Sequence, residues 1–244
     1  MNDLADRFEQ DPHMGQSYPN RPPRDAATLI LLDRTGPVPK VLMGRRHHDH
    51  VFLPGKFVFP GGRVDPADRL MQVASPLDPR TEVRLVRSVR RPSAIKARAL
   101  ALTAIRETFE ETGLLIGSKQ ADAPTAPAGP WSVFAQAKIQ PELASIHFIA
   151  RAITPPRRPR RYDTRFFTAD ISAIAHRIDG VVGPQSELVE LVWMPIAETK
   201  RLDLLAITEL VLQDLQAQID AGFNHDLPVP FYRMLHGKRV REML

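Results

Sequence analysis

The 244-residue sequence contains no cysteine, which excludes disulfides, thiolate zinc sites and cysteine nucleophiles. No apolar run approaches the roughly 18 residues of a membrane span, so no membrane partner is expected. The first segment, 1–25, has no apolar core and carries Pro12, Pro19, Pro22 and Pro23. It does not read as a secretory leader but as a flexible arm. The closing Glu242-Met243-Leu244 is not a peroxisomal address, so a bacterial-type cytoplasm is the expected location. There is no internal repeat and no βαβ rhythm, which favours α+β over a doubly wound sheet. Charged residues make up 25% and hydrophobic residues 43%, the balance of a globular chain rather than a disordered one. Proline, in contrast, is abundant at 23 residues, which predicts many turns and irregular connections. The length suits one enlarged domain able to bury a core.

Short apolar runs predict strands at Ala27–Leu32 and Val38–Met43, joined through Asp33-Arg34-Thr35-Gly36-Pro37, and at Phe57–Phe59 before Pro60-Gly61-Gly62. Arginines spaced at three or four from Arg80 to Arg91 suggest a short basic helix. The clearest helix runs from Ser93 to Thr112, with Ser93 as cap and Gly113 as left-handed terminator. Its predicted apolar stripe is Ile95, Ala99, Leu102, Ile105 and Phe109. Further strands are expected at Ile146–Ile153, Arg165–Thr168 and Leu188–Trp193, and a second helix at Ala197–Ile219.

The chemistry concentrates at the end of the first helix, in Arg106-Glu107-Thr108-Phe109-Glu110-Glu111-Thr112-Gly113-Leu114. At about 100° per residue, Glu107, Glu110 and Glu111 share one side, within an arc of about 100°. Glu107 and Glu111 repel at i, i+4, and the helix dipole disfavours anions there by up to about 1 kcal/mol each. Only Arg106, at i, i+4 to Glu110, offers a local partner. A solvated acidic helix end is the bland reading. A hard divalent cation held between the carboxylates, taking oxygen ligands and bridging to phosphate, is the functional one.

This segment resembles the signature of the Nudix hydrolases, G-x5-E-x7-R-E-U-x-E-E-x-G-U, where U is a bulky apolar residue. Arg106, Glu107, Glu110, Glu111, Gly113 and Leu114 match its second half, and Thr108 stands at the first U. In the first half Gly62 leads, and Asp68 stands where Glu is expected. The 37 residues between Asp68 and Arg106, in place of seven, mark an insertion of 30; the uninterrupted position carries Arg98, so the first acidic ligand is read as shortened, displaced or lost. The insertion, with Phe59-Pro60-Gly61-Gly62, Thr154-Pro155 and Arg161-Tyr162-Asp163-Thr164-Arg165-Phe166-Phe167, is similar to a subgroup that includes peroxisomal coenzyme A diphosphatases and bacterial relatives. The arginine of the coenzyme A motif is replaced by Val51, with Arg45 and Arg46 displaced nearby.

The resemblance implies an α+β fold of the Nudix type, an α/β/α sandwich with a mixed sheet. Its limits would be 26–220, with the insertion at about 69–98 and a C-terminal extension at 221–244. It implies Mg²⁺- or Mn²⁺-dependent cleavage of a nucleoside diphosphate linked to another group, with coenzyme A or an acyl-coenzyme A as the candidate substrate. The implied metal ligands are Glu110 and Glu111. Glu107 is a ligand or the base that orients water. Glu187, ahead of Glu190, is favoured as a later ligand. Arg106 is assigned to the catalytic machinery, holding the acidic cluster by ion pairs. Arg46, Phe59, Gly61 and Gly62 are assigned to substrate binding. His47, His48 and His50 read as loop histidines rather than a metal site. Asp163 either orients Arg161 or Arg165, or belongs to a hairpin turn. A homodimer is possible.

Two stretches are strongly basic. Arg80–Arg98 carries +6 and Arg151–Arg165 carries +5, against +5 for the whole chain. Neither interleaves aromatics as RNA-binding modules do, so no specific nucleic-acid partner is expected. A solvated face and an anionic-substrate channel remain the two readings. A catalytically silent nucleotide-sensing or partner-binding module, and RNA binding or cap removal, are the competing functions.

Overall fold

The structure, a computed structural model, describes residues 18–49 and 53–244. The expected arm up to residue 17, together with His50 and Val51, lies outside the described residues.

The central strand explains the architecture. β1, Arg24–Asp33, is continuously apolar from Leu29 to Leu32 because both of its faces are covered there. Leu29 and Leu31 point into one core cluster, and Ile30 and Leu32 into the other. It pairs antiparallel with β2 (Lys40–Arg46) and parallel with β9 (Tyr162–Asp170). The remaining strands of this sheet are β3 (Phe57–Val58), β4 (Gly61–Arg63), β8 (His147–Ile153), β11 (Leu188–Pro195), β12 (Pro230–Leu235) and β13 (Lys238–Met243). The order is β11-β2-β1-β9-β8-β12-β13, with β3 on β2 and β4 on β1. Short pieces β5 (Leu114–Ile116) with β10 (Ile174–Arg177), and β6 (Ser118–Lys119) with β7 (Ile139–Gln140), form two small sheets.

Among the described residues, four helices cover the sheet. α1 (Pro79–Val86), α2 (Ala94–Thr112) and α3 (Pro130–Gln136) pack on one face, and α4 (Ala206–Asp220) on the other. This is the expected α+β sandwich with a mixed sheet. α2 is buried far beyond a single stripe: Ala97, Leu100, Ala101 and Ala104 join Ala99, Leu102 and Ile105 out of solvent. It lies between the sheet and the layer built by the insertion and α3. Ile95 falls outside this packing and is 62% exposed. Ser93 occupies the cap position, but its side chain makes no cap hydrogen bond; its carbonyl accepts from the Ala97 N–H at 3.0 Å.

The expected helix over Ala197–Ile219 is two pieces, a 3-10 turn at Ile196–Arg201 and α4. The chain breaks between them because Asp203 is held elsewhere, by Lys56 at 2.5 Å and by the Phe57 N–H donating to its carbonyl at 3.1 Å. The segment after α4 closes as the hairpin β12–β13, which extends the sheet beyond β8. α2 starts at Ala94, so the last residues of the nominal insertion lengthen this helix.

Candidate active site

α2 delivers the acidic segment to the paired glycines of β4. Gly113 ends the helix in the left-handed region (φ 76°), where a side chain would collide with the Ile178 carbonyl. Thr108, the polar residue at an apolar signature position, is fully buried, and its hydroxyl donates to the Ala104 carbonyl at 2.7 Å. The polar substitution is therefore satisfied within the helix.

Arg106 organises the cluster. Its Nη1 donates to Glu107 Oε1 at 2.9 Å and to Glu110 Oε1 at 2.6 Å, and its Nη2 to the Arg63 carbonyl at 2.9 Å. The other edge of the guanidinium grips Asp68, Nε to Oδ1 at 2.7 Å and Nη2 to Oδ2 at 3.1 Å. Asp68 is completely buried. It also accepts from the Thr103 hydroxyl at 2.7 Å, from Trp131 Nε1 at 3.0 Å and from the Asp65 N–H at 2.9 Å. Asp68 is thus neither displaced nor lost. It is the structural anchor of Arg106, with both oxygens occupied, and it is not a metal ligand. Arg98, at the uninterrupted signature position, donates to the Arg69 and Met71 carbonyls and ties down the start of the insertion.

Glu107 lies so close to Gly62 that a Cβ on that glycine would overlap its carboxylate. Burial pushes its pKa up to about 7, against the opposing pull of Arg106. Glu111 is 7% exposed and its Oε2 is buried with no hydrogen-bond partner among the described residues. Burial, then the charges of Glu187 and Glu107, hold its pKa well above the usual carboxylate range, while Arg46 and the Gly61 N–H act in the other direction. Gly61 itself packs against Thr28 and the Ala27 carbonyl. Arg46 Nη2 donates to Glu187 Oε1 at 2.7 Å. Glu190 turns instead to Arg45, at 2.8 Å.

Glu107, Glu111, Glu187, Arg46, Gly61 and Gly62 therefore share one neighbourhood, with Glu110 at its edge. Phe59 does not join them: it is 7% exposed and packs in the core cluster with Ile30 and Met43. His47 and His48 have local partners, the Asp49 N–H and Arg45. Asp163 is part of β9 and takes Arg151 in a two-point ion pair at 2.8 and 2.7 Å, with Arg165 at 3.1 Å. Trp131 and Thr103, which support Asp68, lie in no recognisable motif, so no local signal marks them.

Among the described residues, no three acidic or histidine side chains converge into a closed ligand set. The chemistry of the donors nevertheless fits a hard divalent ion. Like-charged carboxylates face one another, and an orphaned buried oxygen on Glu111 is left without compensation.

No family model matches this sequence, and no curated protein does. Among solved structures, a NUDIX hydrolase from Alicyclobacillus acidocaldarius is 28% identical, with 84% of this chain and 96% of that chain covered and a TM-score of 0.62. At much lower similarity stand the NUDIX domain of Shewanella oneidensis NrtR complexed with ADP ribose (15% identity, 90% and 99% covered, TM-score 0.44) and the MutT protein from Methanosarcina mazei Go1 (14%, 82% and 96%, 0.45). The layered mixed sheet with α2 packed on it agrees with the Alicyclobacillus structure, and the chain has the fold of the Nudix hydrolases.

Proposed function

We propose that the protein cleaves the diphosphate linkage of a nucleoside diphosphate joined to another moiety, with coenzyme A or an acyl-coenzyme A as the leading candidate. Glu111 carries the reading: a buried carboxylate facing two others, with an oxygen that no group among the described residues satisfies. Glu111, Glu107 and Glu187 would hold Mg²⁺ or Mn²⁺, with Glu110 supplying the outer side. When bound, the ion polarises phosphoryl oxygens and lowers the pKa of coordinated water. Arg106 fixes Glu107 and Glu110 in place. Glu107 serves as a ligand or as the base that takes the proton from the attacking water. The new O–P bond forms on one phosphorus as the bridging P–O bond breaks and a phosphate leaves, a reaction that depends on positioning and charge neutralisation. Gly61 and Gly62 keep this wall free of side chains.

The test is a panel of coenzyme A, an acyl-coenzyme A, a dinucleoside polyphosphate and a nucleotide sugar, each with Mg²⁺ or Mn²⁺ and with products identified by mass. Cleavage within the diphosphate, abolished in Glu111→Gln, is expected. Nucleotide binding without turnover of any panel member would overturn the reading in favour of a silent nucleotide-binding module.

A further inference from the structure

The two basic stretches, Arg80–Arg98 and Arg151–Arg165, meet at one end of the sheet. β8 and β9 are antiparallel, so their connection, 154–161, caps this end. The Arg24 N–H donates to the Arg161 carbonyl at 2.9 Å, which brings the start of β1 to the same place. Arg151, near the end of β8, donates to the Arg87 carbonyl at 3.0 Å and holds the 87–91 loop there. β12 runs parallel to β8, pairing Phe231 with Arg151, so the turn that follows it also opens at this end.

The exposed charged side chains of these four segments are all cationic. The 87–91 loop presents Arg87, Arg90 and Arg91, and the β8–β9 connection presents Arg157 and Arg160. Arg21 and Arg24 flank them on one side, and Lys238 and Arg239 on the other. Among the described residues, Asp25 and Asp163 lie at this end and are already engaged, Asp25 by Arg165 at 2.8 Å and Lys96 at 2.6 Å, Asp163 by Arg151. They offset little of the surface charge.

We infer that this pole binds the phosphodiester backbone of nucleic acid without reading its sequence. From β1 to β13 the pole crosses four strand spacings, about 19 Å. Duplex phosphates are about 3.4 Å apart along each strand, so about five can be engaged. Among the described residues of the pole no Phe, Tyr or Trp is exposed, Tyr18 and Tyr162 being half-buried, so backbone contact is the mode of binding. A membrane surface would call for apolar side chains among the arginines; in these four segments only Leu235 is a large exposed one, at 37%.

Fluorescence anisotropy of the full chain with a labelled duplex of about 20 base pairs, and with an RNA single strand of the same length, tests this. The logarithm of the binding constant should fall with log salt at a slope of about −4 on duplex. Arg87→Ser/Arg90→Ser/Arg91→Ser should flatten that slope by about 2 to 3 and weaken binding at least about tenfold at low salt. Arg157→Ser/Arg160→Ser, an independent variant, should flatten it by about 2. Comparable RNA and DNA affinities are expected. A wild-type slope shallower than about −2, slopes unchanged in both variants, or capture by phosphatidylserine vesicles without nucleic-acid binding would each overturn the inference.

Discussion

Asp68 allows a quantitative test of how the acidic cluster is built. Asp68→Ala removes the acceptor of two Arg106 bonds and of the Trp131, Thr103 and Asp65 donors at a site with no solvent exposure. Breaking a buried ion pair by deleting one partner costs about 3–5 kcal/mol, and an orphaned indole N–H adds about 1–3 kcal/mol unless water enters the small cavity. Arg106 keeps Glu107, Glu110 and the Arg63 carbonyl, which limits its share of the loss. A net loss of about 4 kcal/mol is expected. Asp68→Asn keeps the volume and one acceptor, and should lose about 2 kcal/mol. Asp68→Glu restores the residue type of the signature, yet adds a methylene to a filled site and should cost about 1–3 kcal/mol. Urea denaturation followed by fluorescence reads these losses as shifts in midpoint at constant m-value. If Asp68→Ala loses less than about 1 kcal/mol, the anchor role assigned to Asp68 is wrong.

Other perturbations probe the neighbouring parts. Glu111→Gln removes an ionisable group whose burial opposes its charged form, so it should abolish hydrolysis while raising thermal stability by about 1 kcal/mol, a combination a purely structural carboxylate would not give; calorimetry and the substrate panel decide it. Gly62→Ala should displace Glu107 and reduce turnover by at least about tenfold with little change in folding, whereas Gly61→Ala meets main chain at Ala27 and should cost about 1–3 kcal/mol of stability; circular dichroism melts separate the two. The stacked rings of His147 and His225, 3.9 Å apart, predict acid sensitivity. Burial lowers the His147 pKa to about 4 from 6.5, so the unfolded chain binds the proton more readily. Stability should be full above pH 6.5 and fall by about 1–2 kcal/mol, after allowing for partial exposure, as the pH drops towards 4. His147→Phe should flatten that dependence in denaturation midpoints measured across this range.

The legible parts of this molecule were those in which local chemistry and final surroundings agree. The run Ala27–Leu32 reads as a strand because it is apolar, and it is apolar because helices cover both faces. The terminator Gly113 and the Arg106–Glu110 contact are local and follow from helical spacing. The misread residues depend on distant partners. Ile95 fits an apolar stripe but precedes the part of α2 that lies against the sheet. Asp68 looked like a defective ligand because its five donors come from Asp65, Thr103, Arg106 and Trp131, and the helix contacts lie across an insertion that hides the spacing. Asp203 breaks a helix through Lys56, far back in the chain. The convergence of the basic stretches likewise requires the sheet order, which no local pattern encodes.

The parallel contact of β1 with β9 has a consequence for how the chain comes into being. The Thr168 hydroxyl reaches the Ile30 carbonyl across 138 residues, so the middle of the sheet cannot be zipped until about two thirds of the polypeptide has left the ribosome. Until then β1, with its unbroken apolar run, has an unpaired edge open to wrong partners. Glu187, later still in the chain, cannot meet Glu111 before that closure. Synthesis order therefore keeps the facing carboxylates apart until the scaffold that holds them is complete.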